Sequence, residues 1–362
     1  MKRVVIVGGG YAGTALARSL DNAADVVLVE PRDRFLHNVA AIRAIVEPVL
    51  FDRIALPYDK LLKRGQVLRD RATAVTGKSV SLANGIRIEA DVVVVATGSH
   101  YARPFKPDGD TVVSLQQQMK AAHARVNAAN SIAIIGAGAV GTELAGEIAS
   151  AMQGKKITLV SSTMTLFPGY TPALGEKLAT QLKGLGVTIR TDATAVNLKS
   201  VTEPFSGTVE LRSGEKISAD VIFPVIGARP ENTLLRSTAG ISFDAIGRAV
   251  VDQWMRPSKD ESLFAFGDAA ATGDAMTIVG ISRQQPWLTN TIKAVLKGRK
   301  VEACPPYKPW PAPPILIPLG PRLGASVLPF TRNGITVGPF LTSVIKGKQL
   351  FIPRLWKEFG YG

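Results

Sequence analysis

The stretch Val4-Val5-Ile6-Val7-Gly8-Gly9-Gly10-Tyr11-Ala12-Gly13 decides the fold of this 362-residue chain. Four apolar residues predict a buried strand, and the glycines that follow have the G-x-G-x-x-G spacing of a dinucleotide-binding turn. A helix is predicted from Ala12 to Leu20, and a second strand then ends at Glu30. The free N–H groups at the start of such a helix bind phosphates. We therefore predict a dinucleotide site in which Glu30 accepts hydrogen bonds from ribose hydroxyls. The alternative is a glycine-rich turn without a ligand.

The same pattern returns in the second third of the chain. A predicted strand over 132–135 precedes Gly136, Gly138 and Gly141, and a helix is predicted from about Ala139 to Met152. The two motifs lie a domain's length apart, so the repeat has the size of a domain and not of a short solenoid unit. In both halves a later buried strand ends in glycine, over 91–98 and over 219–227. These patterns predict an α/β fold with two Rossmann-type domains.

The rest of the chain is arranged around these two units. The first domain is expected to comprise 1–115 and 245–300, and the second 116–244, after a helical connector near 111–130. Within the first domain, Asn84-Gly85 predicts a hairpin turn. A helix is predicted from about Met276 to Leu296, with an interruption at Pro286. From residue 301 onward prolines break the chain repeatedly, and a strand is predicted over 335–340. We expect a small C-terminal α+β domain over 301–362.

Composition narrows the possible functions. The net charge of +14 and the isoelectric point near 9.9 favour anionic partners such as nucleic acid, anionic lipid or acidic cofactors, although a solvated basic surface is an equal alternative. Cys304 is the single cysteine, which excludes a disulfide framework, a C-x-x-C redox pair and a cysteine-based metal cluster within one chain. No metal site is expected. No stretch approaches the roughly 18 apolar residues of a membrane span.

Four features together carry a family resemblance: both glycine motifs, the Thr97-Gly98 turn and the Gly267-Asp268 strand end. The chain resembles the pyridine nucleotide-disulfide oxidoreductases of the glutathione-reductase type, flavoproteins that use NAD(P)H. The segment 35–44, with His-Asn-Val-Ala-Ala at its centre, and the C-terminal segments 307–309, 346–351 and 356–357 are more specific. They resemble the apoptosis-inducing-factor homologues of the ferroptosis-suppressor group, which, like type II NADH dehydrogenases, reduce quinones.

The resemblance implies cofactors and the residues that bind them. The first domain would bind FAD, with or without modification of the flavin, and the second NADH or NADPH. The hydride would pass from nicotinamide C4 to flavin N5, and two electrons would then reduce a ubiquinone-type acceptor. The implied binding residues are Gly8, Gly9, Gly10, Tyr11, Ala12, Gly13, Glu30, Arg43, Ala72, Thr97, Gly98 and Asp268 for FAD, and Gly136, Gly138, Gly141 and Gly227 for the nicotinamide cofactor.

Two residues are implied as catalytic. Glu143 follows the second glycine motif, and the resemblance places it beside the flavin and the nicotinamide, where it would orient the nicotinamide or relay a proton. The alternative is an acid favoured by the helix dipole. Lys346 would supply a cation near the flavin, although a solvated surface lysine is nearly as plausible. Glu147 is interpreted as structural. His37 either touches the flavin or quinone or is a hydrogen-bonded loop histidine.

The choice of nicotinamide cofactor depends on the end of the strand over 157–160. An acid at that position would hold the ribose 2′-hydroxyl of NADH and repel a 2′-phosphate. Here the strand ends in Ser161 and Ser162, which repel neither cofactor, and no arginine follows closely. We therefore expect NADH and NADPH to be used with little preference.

The electron acceptor follows from the missing cysteines and from the C-terminal segment. Without a redox disulfide, the flavin must pass electrons directly to a diffusible acceptor. Broken apolar runs and a basic, aromatic terminus predict a peripheral position on an anionic membrane, on its cytoplasmic inner face, with access for quinone. The alternatives for this segment are a β domain that completes the core or a homodimer contact. The alternative functions are a ferredoxin or rubredoxin reductase and a flavin-bearing redox sensor or nucleic-acid-binding protein.

Overall fold

A computed structural model describes residues 1–106 and 109–362. Ten α-helices are present in this part of the chain. They are α1 Tyr11–Leu20, α2 Asn38–Ala44, α3 Phe51–Ile54, α4 Val112–Ala128, α5 Ala139–Ala151, α6 Pro172–Gly184, α7 Thr233–Arg236, α8 Ile278–Leu296, α9 Pro339–Thr342 and α10 Ile352–Glu358. Short 3-10 turns cover Pro48–Leu50, Gly267–Ala269 and Val301–Ala303, and a π-helical turn covers Ser343–Gly347.

A parallel five-stranded sheet forms the centre of the first domain. Its strands lie in the spatial order Leu263–Ala265, Val92–Val95, Arg3–Val7, Asp25–Val29 and Gln66–Leu68. Both faces of its central strands are buried, as expected for a parallel sheet covered on both sides. Because parallel strands expose their carboxyl ends at one edge, the Gly8 loop, Glu30, Thr97 and Gly267 meet at that edge.

A six-stranded sheet forms the centre of the second domain. Its spatial order is Thr188–Arg190, Lys156–Val160, Ser131–Ile135, Lys216–Pro224, Phe205–Leu211 and Ala195–Val196. The first four strands are parallel to one another. Phe205–Leu211 is antiparallel to both of its neighbours, Lys216–Pro224 and Ala195–Val196. A short antiparallel pair, Ser99–His100 with Arg229–Pro230, joins the two connections between the domains. The predicted α/β class with two Rossmann-type units is confirmed.

Smaller sheets complete the molecule. A three-stranded sheet of Ala72–Val75, Ser79–Leu82 and Arg87–Glu89 contains the hairpin predicted at Asn84-Gly85. Two-stranded pairs join Arg34–Leu36 to Ala55–Pro57 and Ala249–Val250 to Ala270–Ala271. The C-terminal segment forms the sheet Ile315–Leu319, Leu323–Leu328 and Ile335–Val337. Its first strand packs on α5, where a Cβ on Gly146 would lie 2.6 Å from Leu319 Cα.

Two local predictions are wrong. Helix α8 runs through Pro286 without interruption, because it packs along α1 and buries Ile281, Leu288 and Ile292, and this packing offsets the lost backbone hydrogen bond. The strand expected over 335–340 ends at Val337. Pro339 then begins α9, since proline fits the first helical turn and cannot donate to a sheet.

Candidate cofactor and acceptor site

The first glycine loop has the backbone geometry that a dinucleotide turn requires. Gly8 has φ +108°, and a Cβ there would lie 2.4 Å from Ala96 O. A Cβ on Gly13 would lie 1.8 Å from Gly8 O, so only glycine lets α1 pack against the turn. A Cβ on Gly10 would meet nothing within 4 Å. The N-terminal end of α1 is therefore open to a ligand.

This helix end opens into a cavity of about 860 Å³. The cavity extends from the ends of the first sheet, past α5, to the C-terminal sheet. Predicted site residues that line it are Gly8, Gly10, Tyr11, Ala12, Glu30, Ala72, Thr97, Gly98, Glu143, Asp268 and Lys346. The structure thus brings together residues of both glycine-motif units and the C-terminal segment.

Seven predicted residues do not line this cavity. Gly9 lies behind the turn, where its N–H donates to Glu30 Oε2 at 2.5 Å, and Gly13 is a packing position. Gly136, Gly138, Gly141 and Gly227 belong to the second loop. There a Cβ on Gly136 would lie 2.3 Å from Val225 O and one on Gly141 would lie 1.9 Å from Gly136 O. The seventh residue is Arg43.

Arg43, implied as an FAD-binding residue, does not line the cavity. Its guanidinium is buried against Glu147, with Nη2–Oε1 2.7 Å and Nε–Oε2 2.9 Å. This pair joins α2 to α5. The Arg43 donors point at Glu147 because an uncompensated carboxylate would be costly at that depth. The interpretation of Glu147 as structural agrees with this contact.

Glu30 is buried in the cavity wall beside the first glycine loop, but it already has protein partners. Besides the Gly9 N–H, Arg32 donates to it through Nε at 2.7 Å and Nη2 at 3.0 Å. Burial opposes ionisation of Glu30. The Arg32 guanidinium and the backbone N–H groups of Gly9 and Arg32 outweigh this effect, so the pKa of Glu30 is lowered. Glu30 is therefore an ionised acceptor, and Arg32 lies beside it in the cavity wall.

Asp268 belongs to a polar cluster in the cavity wall. Its Oδ2 accepts from Ser99 Oγ at 2.5 Å and from Lys106 Nζ at 3.2 Å. Lys106 also donates a short hydrogen bond to Ser99 and lines the cavity. Lys106 therefore places a cation beside the acid, in the wall of the same cavity as the open end of α1.

Glu143 and Lys346 form a buried ion pair in the cavity, although α5 and the C-terminal segment are distant in sequence. Lys346 Nζ lies 2.7 Å from Glu143 Oε1 and also donates to Leu316 O at 3.0 Å. Burial raises the pKa of Glu143 to about 7, against the opposing effect of Lys346. The lysine is therefore not a solvated surface residue, and the acid can exchange a proton near neutral pH.

His37 is buried and does not line the cavity. Its Nδ1 lies 2.7 Å from Tyr11 Oη and its Nε2 lies 2.5 Å from Leu350 O. Of the two alternatives, the structure shows the hydrogen-bonded histidine. Burial lowers its pKa to about 4, so the ring is neutral at physiological pH.

The residues present fit FAD and a nicotinamide cofactor. The open N terminus of α1, Lys106 and Asp268 suit a pyrophosphate and ribityl chain. Asn38 lines the cavity, and its Oδ1 is buried without a hydrogen-bond partner, which a ligand N–H or O–H would satisfy. Val140 and Glu143, in the first two turns of α5, line the same cavity, so both cofactors can meet there.

Several cavity residues were not named as site residues from the sequence: Arg32, Asn38, His100, Lys106, Glu231, Phe351 and the segment 276–279. Ile315, Leu316 and Ile317, which also line the cavity, belong to the segment for which access of the acceptor was expected. Asn38 and Phe351 lie within the segments that carried the resemblance, so a signal existed for them. His100 and Glu231 are joined by a hydrogen bond beside the two interdomain strands. Only the pairing of those strands brings them together. In residues 1–106 and 109–362 there is no group of three or more His, Cys, Asp or Glu placed to hold a metal ion.

Comparisons with known proteins agree with this geometry. Apoptosis-inducing factor homolog A of Dictyostelium discoideum is 27% identical over 378 residues, covering 99% of this chain and 92% of the relative. Ferroptosis suppressor protein 1 of Xenopus laevis is 25% identical over 371 residues, covering 99% and 96%. The sulfide:quinone oxidoreductase of Aquifex aeolicus has the same fold, with a TM-score of 0.79 at 16% identity and coverage of 100% and 92%.

The family assignment rests on a match to most of the chain. The model of the pyridine nucleotide-disulphide oxidoreductases matches residues 2–298, which include both glycine loops, Glu143 and Asp268. The resemblance to this family and to the apoptosis-inducing-factor homologues is confirmed, as are FAD and NAD(P)H as cofactors. The chain therefore belongs to the pyridine nucleotide-disulphide oxidoreductase family and is an FAD-dependent NAD(P)H oxidoreductase.

Proposed function

We propose that the protein is an NAD(P)H:quinone oxidoreductase that works at an anionic membrane surface. The observation that carries this proposal is the buried Lys346–Glu143 pair, at 2.7 Å, in a cavity that the C-terminal segment helps to enclose. The bound flavin supplies the two-electron chemistry between nicotinamide and acceptor. We also propose that 1–115 with 245–300 binds FAD, that 116–244 binds NAD(P)H, and that 301–362 serves the acceptor.

The ion pair suits the proton balance of quinone reduction. Forming a quinol takes up two protons with the two electrons, and both oxygens become hydroxyls. Lys346 Nζ can donate a hydrogen bond to one quinone oxygen and so favour the developing negative charge. Glu143, whose pKa is about 7, can hold a proton at Oε2, the oxygen that does not accept from Lys346, and release it at neutral pH.

The cavity walls suit a lipophilic acceptor. Ile315, Leu316 and Ile317 line the cavity beside Lys346, and Phe351 closes the same end. The cysteines that a disulfide relay would need are missing from the sequence, because Cys304 stands alone. A small quinone head group between apolar walls and a buried cation is the acceptor that these residues support.

An exposed apolar patch, defined as Phe340, Leu341 and Val344, lies on the same segment as Lys346. Phe340 is 76% exposed, and Lys348 is exposed one turn beyond Val344. Helical spacing puts the three apolar side chains on one side. Apolar side chains flanked by basic residues favour the interface of an anionic bilayer. Among the described residues no helix is long and apolar enough to cross a membrane, so the proposal is peripheral binding.

A protein acceptor of the ferredoxin or rubredoxin type is the second candidate. The net charge of +14 favours docking of an acidic electron carrier. In that case reduction would not need the apolar end of the cavity, and it would weaken strongly with salt.

Anaerobic stopped-flow absorbance of the flavin tests the proposal. NADH or NADPH should bleach the flavin, and a short-chain ubiquinone should restore its colour. Lys346→Met should slow the second step about 10- to 100-fold, whereas Lys348→Met, a change of an exposed lysine two residues away, should leave it within about twofold. Bleaching without recovery by quinone, but with recovery by a ferredoxin, would replace the quinone proposal with the second candidate.

A further inference from the structure

His37 is a buried titratable residue that the proposed chemistry does not use. It is 1% exposed, it precedes α2, and it lies outside the cavity wall. Nevertheless, both of its ring nitrogens are engaged, by Tyr11 at the start of α1, next to the first glycine loop, and by Leu350 of the C-terminal segment. These two partners come from opposite ends of the polypeptide.

The protonation of the ring follows from its partners. A carbonyl oxygen can only accept, so Nε2–H donates to Leu350 O at 2.5 Å. In the neutral ring Nδ1 is then the acceptor, and Tyr11 Oη donates to it at 2.7 Å. The Tyr11 oxygen in turn accepts from Val39 N–H at 3.2 Å. In this series of hydrogen bonds, from Val39 N–H through Tyr11 and His37 to Leu350 O, every donor meets an acceptor.

The C-terminal end of the chain of hydrogen bonds is held in an unusual backbone conformation. Leu350 and Phe351 have φ +50° and +62°, the left-handed region that non-glycine residues rarely occupy. Such a conformation persists only where surrounding contacts hold it. Leu350 N–H donates to Lys346 O at 2.8 Å, and Lys346 itself lies in the π-helical turn Ser343–Gly347. The Leu350 carbonyl that His37 binds is thus one hydrogen bond from the Lys346 backbone.

Both ends of this arrangement face the same cavity. Tyr11, Lys346 and Phe351 line it, whereas His37 joins them from behind. We infer that His37 is a positioning residue. Through Leu350 it holds Lys346 and Phe351 in place beside residues 315–317 of the cavity wall, and it keeps them in register with the first glycine loop. The inference rests on the proposed function only where the reoxidation of the flavin by quinone is measured.

Side-chain isosteres test this role. The terminal amide nitrogen of glutamine can reach the place of Nε2, so His37→Gln keeps a donor for Leu350 O. The shorter asparagine reaches only the place of Nδ1, so His37→Asn loses that donor, and His37→Ala loses both contacts. Tyr11→Phe removes the other partner alone. His123→Gln is the matched control, because His123 is half-buried and bonds Ile45 O at 2.7 Å outside the cavity.

The variants are compared as FAD-loaded proteins with three measurements: amide hydrogen exchange over 343–352, flavin reduction by NADH, and flavin reoxidation by short-chain ubiquinone. We expect His37→Asn and His37→Ala to exchange faster over 343–352 and to reoxidise about 10- to 100-fold more slowly, because small misplacements of a positioned group cost that much. His37→Gln should stay within about threefold of wild type, and His123→Gln should be unchanged. Combined with Lys346→Met, His37→Asn should add no further loss.

Other outcomes overturn the inference. Equal defects in His37→Gln and His37→Asn would show that the Leu350 contact does not matter. A full multiplicative loss in the double variant with Lys346→Met would show that His37 does not act through Lys346. If wild-type flavin is not reoxidised by quinone at all, the proposed acceptor fails, and the inference is then decided by hydrogen exchange over 343–352 alone. Unchanged exchange in His37→Asn would reject it.

Discussion

At the scale of single residues, two carboxylates one turn apart on α5 have different partners. Glu143 faces the cavity and pairs with Lys346, whereas Glu147 faces α2 and pairs with Arg43. Burial raises the pKa of both acids, but only Glu143 can reach a ligand. The position along the helix, which decides the partner, and not the residue type therefore separates the proposed chemical role from the structural one.

The pH dependence of the free energy of unfolding should reveal the protonation of the Glu143 carboxyl. Its pKa is about 7 when folded and 4.5 unperturbed, so the folded state binds its proton more tightly. The resulting stabilisation is complete below pH 4.5 and is lost as the pH rises through 7. Between about pH 5 and pH 8 the free energy of unfolding of the wild type should fall by about 1–3 kcal/mol relative to Glu143→Gln. Urea denaturation at both pH values measures this, and parallel curves for the two proteins would contradict it.

A single substitution at Ser162 should change the preference of the protein between NADH and NADPH. Ser161 is buried and its Oγ lies 3.0 Å from Thr163 Oγ1, whereas Ser162 is exposed at the end of the strand Lys156–Val160. Ser162→Asp would place a negative charge beside a 2′-phosphate. We expect kcat/KM for NADPH to fall about 10- to 100-fold, with NADH changed by less than about threefold. Steady-state kinetics with both cofactors decides it, and an equal loss for both would reject this placement of the ribose.

At the scale of elements, each glycine loop depends on one close approach between a helix and its turn. A Cβ on Gly13 would lie 1.8 Å from Gly8 O, and one on Gly141 would lie 1.9 Å from Gly136 O. Gly13→Ala should therefore lose bound FAD, whereas Gly141→Ala should keep a yellow flavin and bind NAD(P)H at least about tenfold more weakly. Flavin absorbance and NADH titration separate the two.

A matched control for these glycines is available in α6. A Cβ on Gly184 would meet nothing within 4 Å, so Gly184→Ala should bind both cofactors normally and change stability by less than about 1 kcal/mol. If Gly13→Ala also retains full FAD, the first loop does not bind the cofactor in the proposed way.

The contact between α2 and α5 makes a separate prediction. Arg43→Met would leave Glu147 buried without its cation and should cost about 3–5 kcal/mol of unfolding free energy. The double change Arg43→Met with Glu147→Met should recover most of this loss and keep FAD bound. The control is the exposed pair Arg87–Glu89, where Arg87→Met should cost under about 1 kcal/mol. Loss of FAD from a stable double variant would return Arg43 to the cofactor site.

At the scale of the whole molecule, charge and the apolar patch together should direct the protein to membranes. Flotation with vesicles that contain anionic lipid should show binding that weakens as salt is raised, since screening shortens the reach of the +14 net charge. Phe340→Ser with Val344→Ser should reduce binding about tenfold or more. The control Met164→Ser removes an exposed apolar side chain of the second domain and should have no effect. Equal binding of all three proteins would reject the patch as the membrane contact.

The sequence by itself determined the parts of this protein whose physics is local. The G-x-G-x-x-G loops, the apolar strands before them and the order of the two dinucleotide units follow from residues adjacent in the chain, because a left-handed glycine or a close helix–turn contact leaves few alternatives nearby. Pro286 shows the limit of such local rules, since packing of α8 on α1 overrides the expected break.

Only the tertiary structure decided which charges meet. Lys346 and Glu143 are 203 positions apart, Arg43 and Glu147 are 104 apart, and His37 and Leu350 are 313 apart. No periodic pattern in the sequence predicts these pairs. A buried ionic or polar group needs a partner, and the fold alone decides which distant residue lies close enough to be that partner. The same Arg43 that local similarity assigned to the flavin is directed to Glu147 for this reason, and Lys346 becomes a buried cavity residue and not a solvated one.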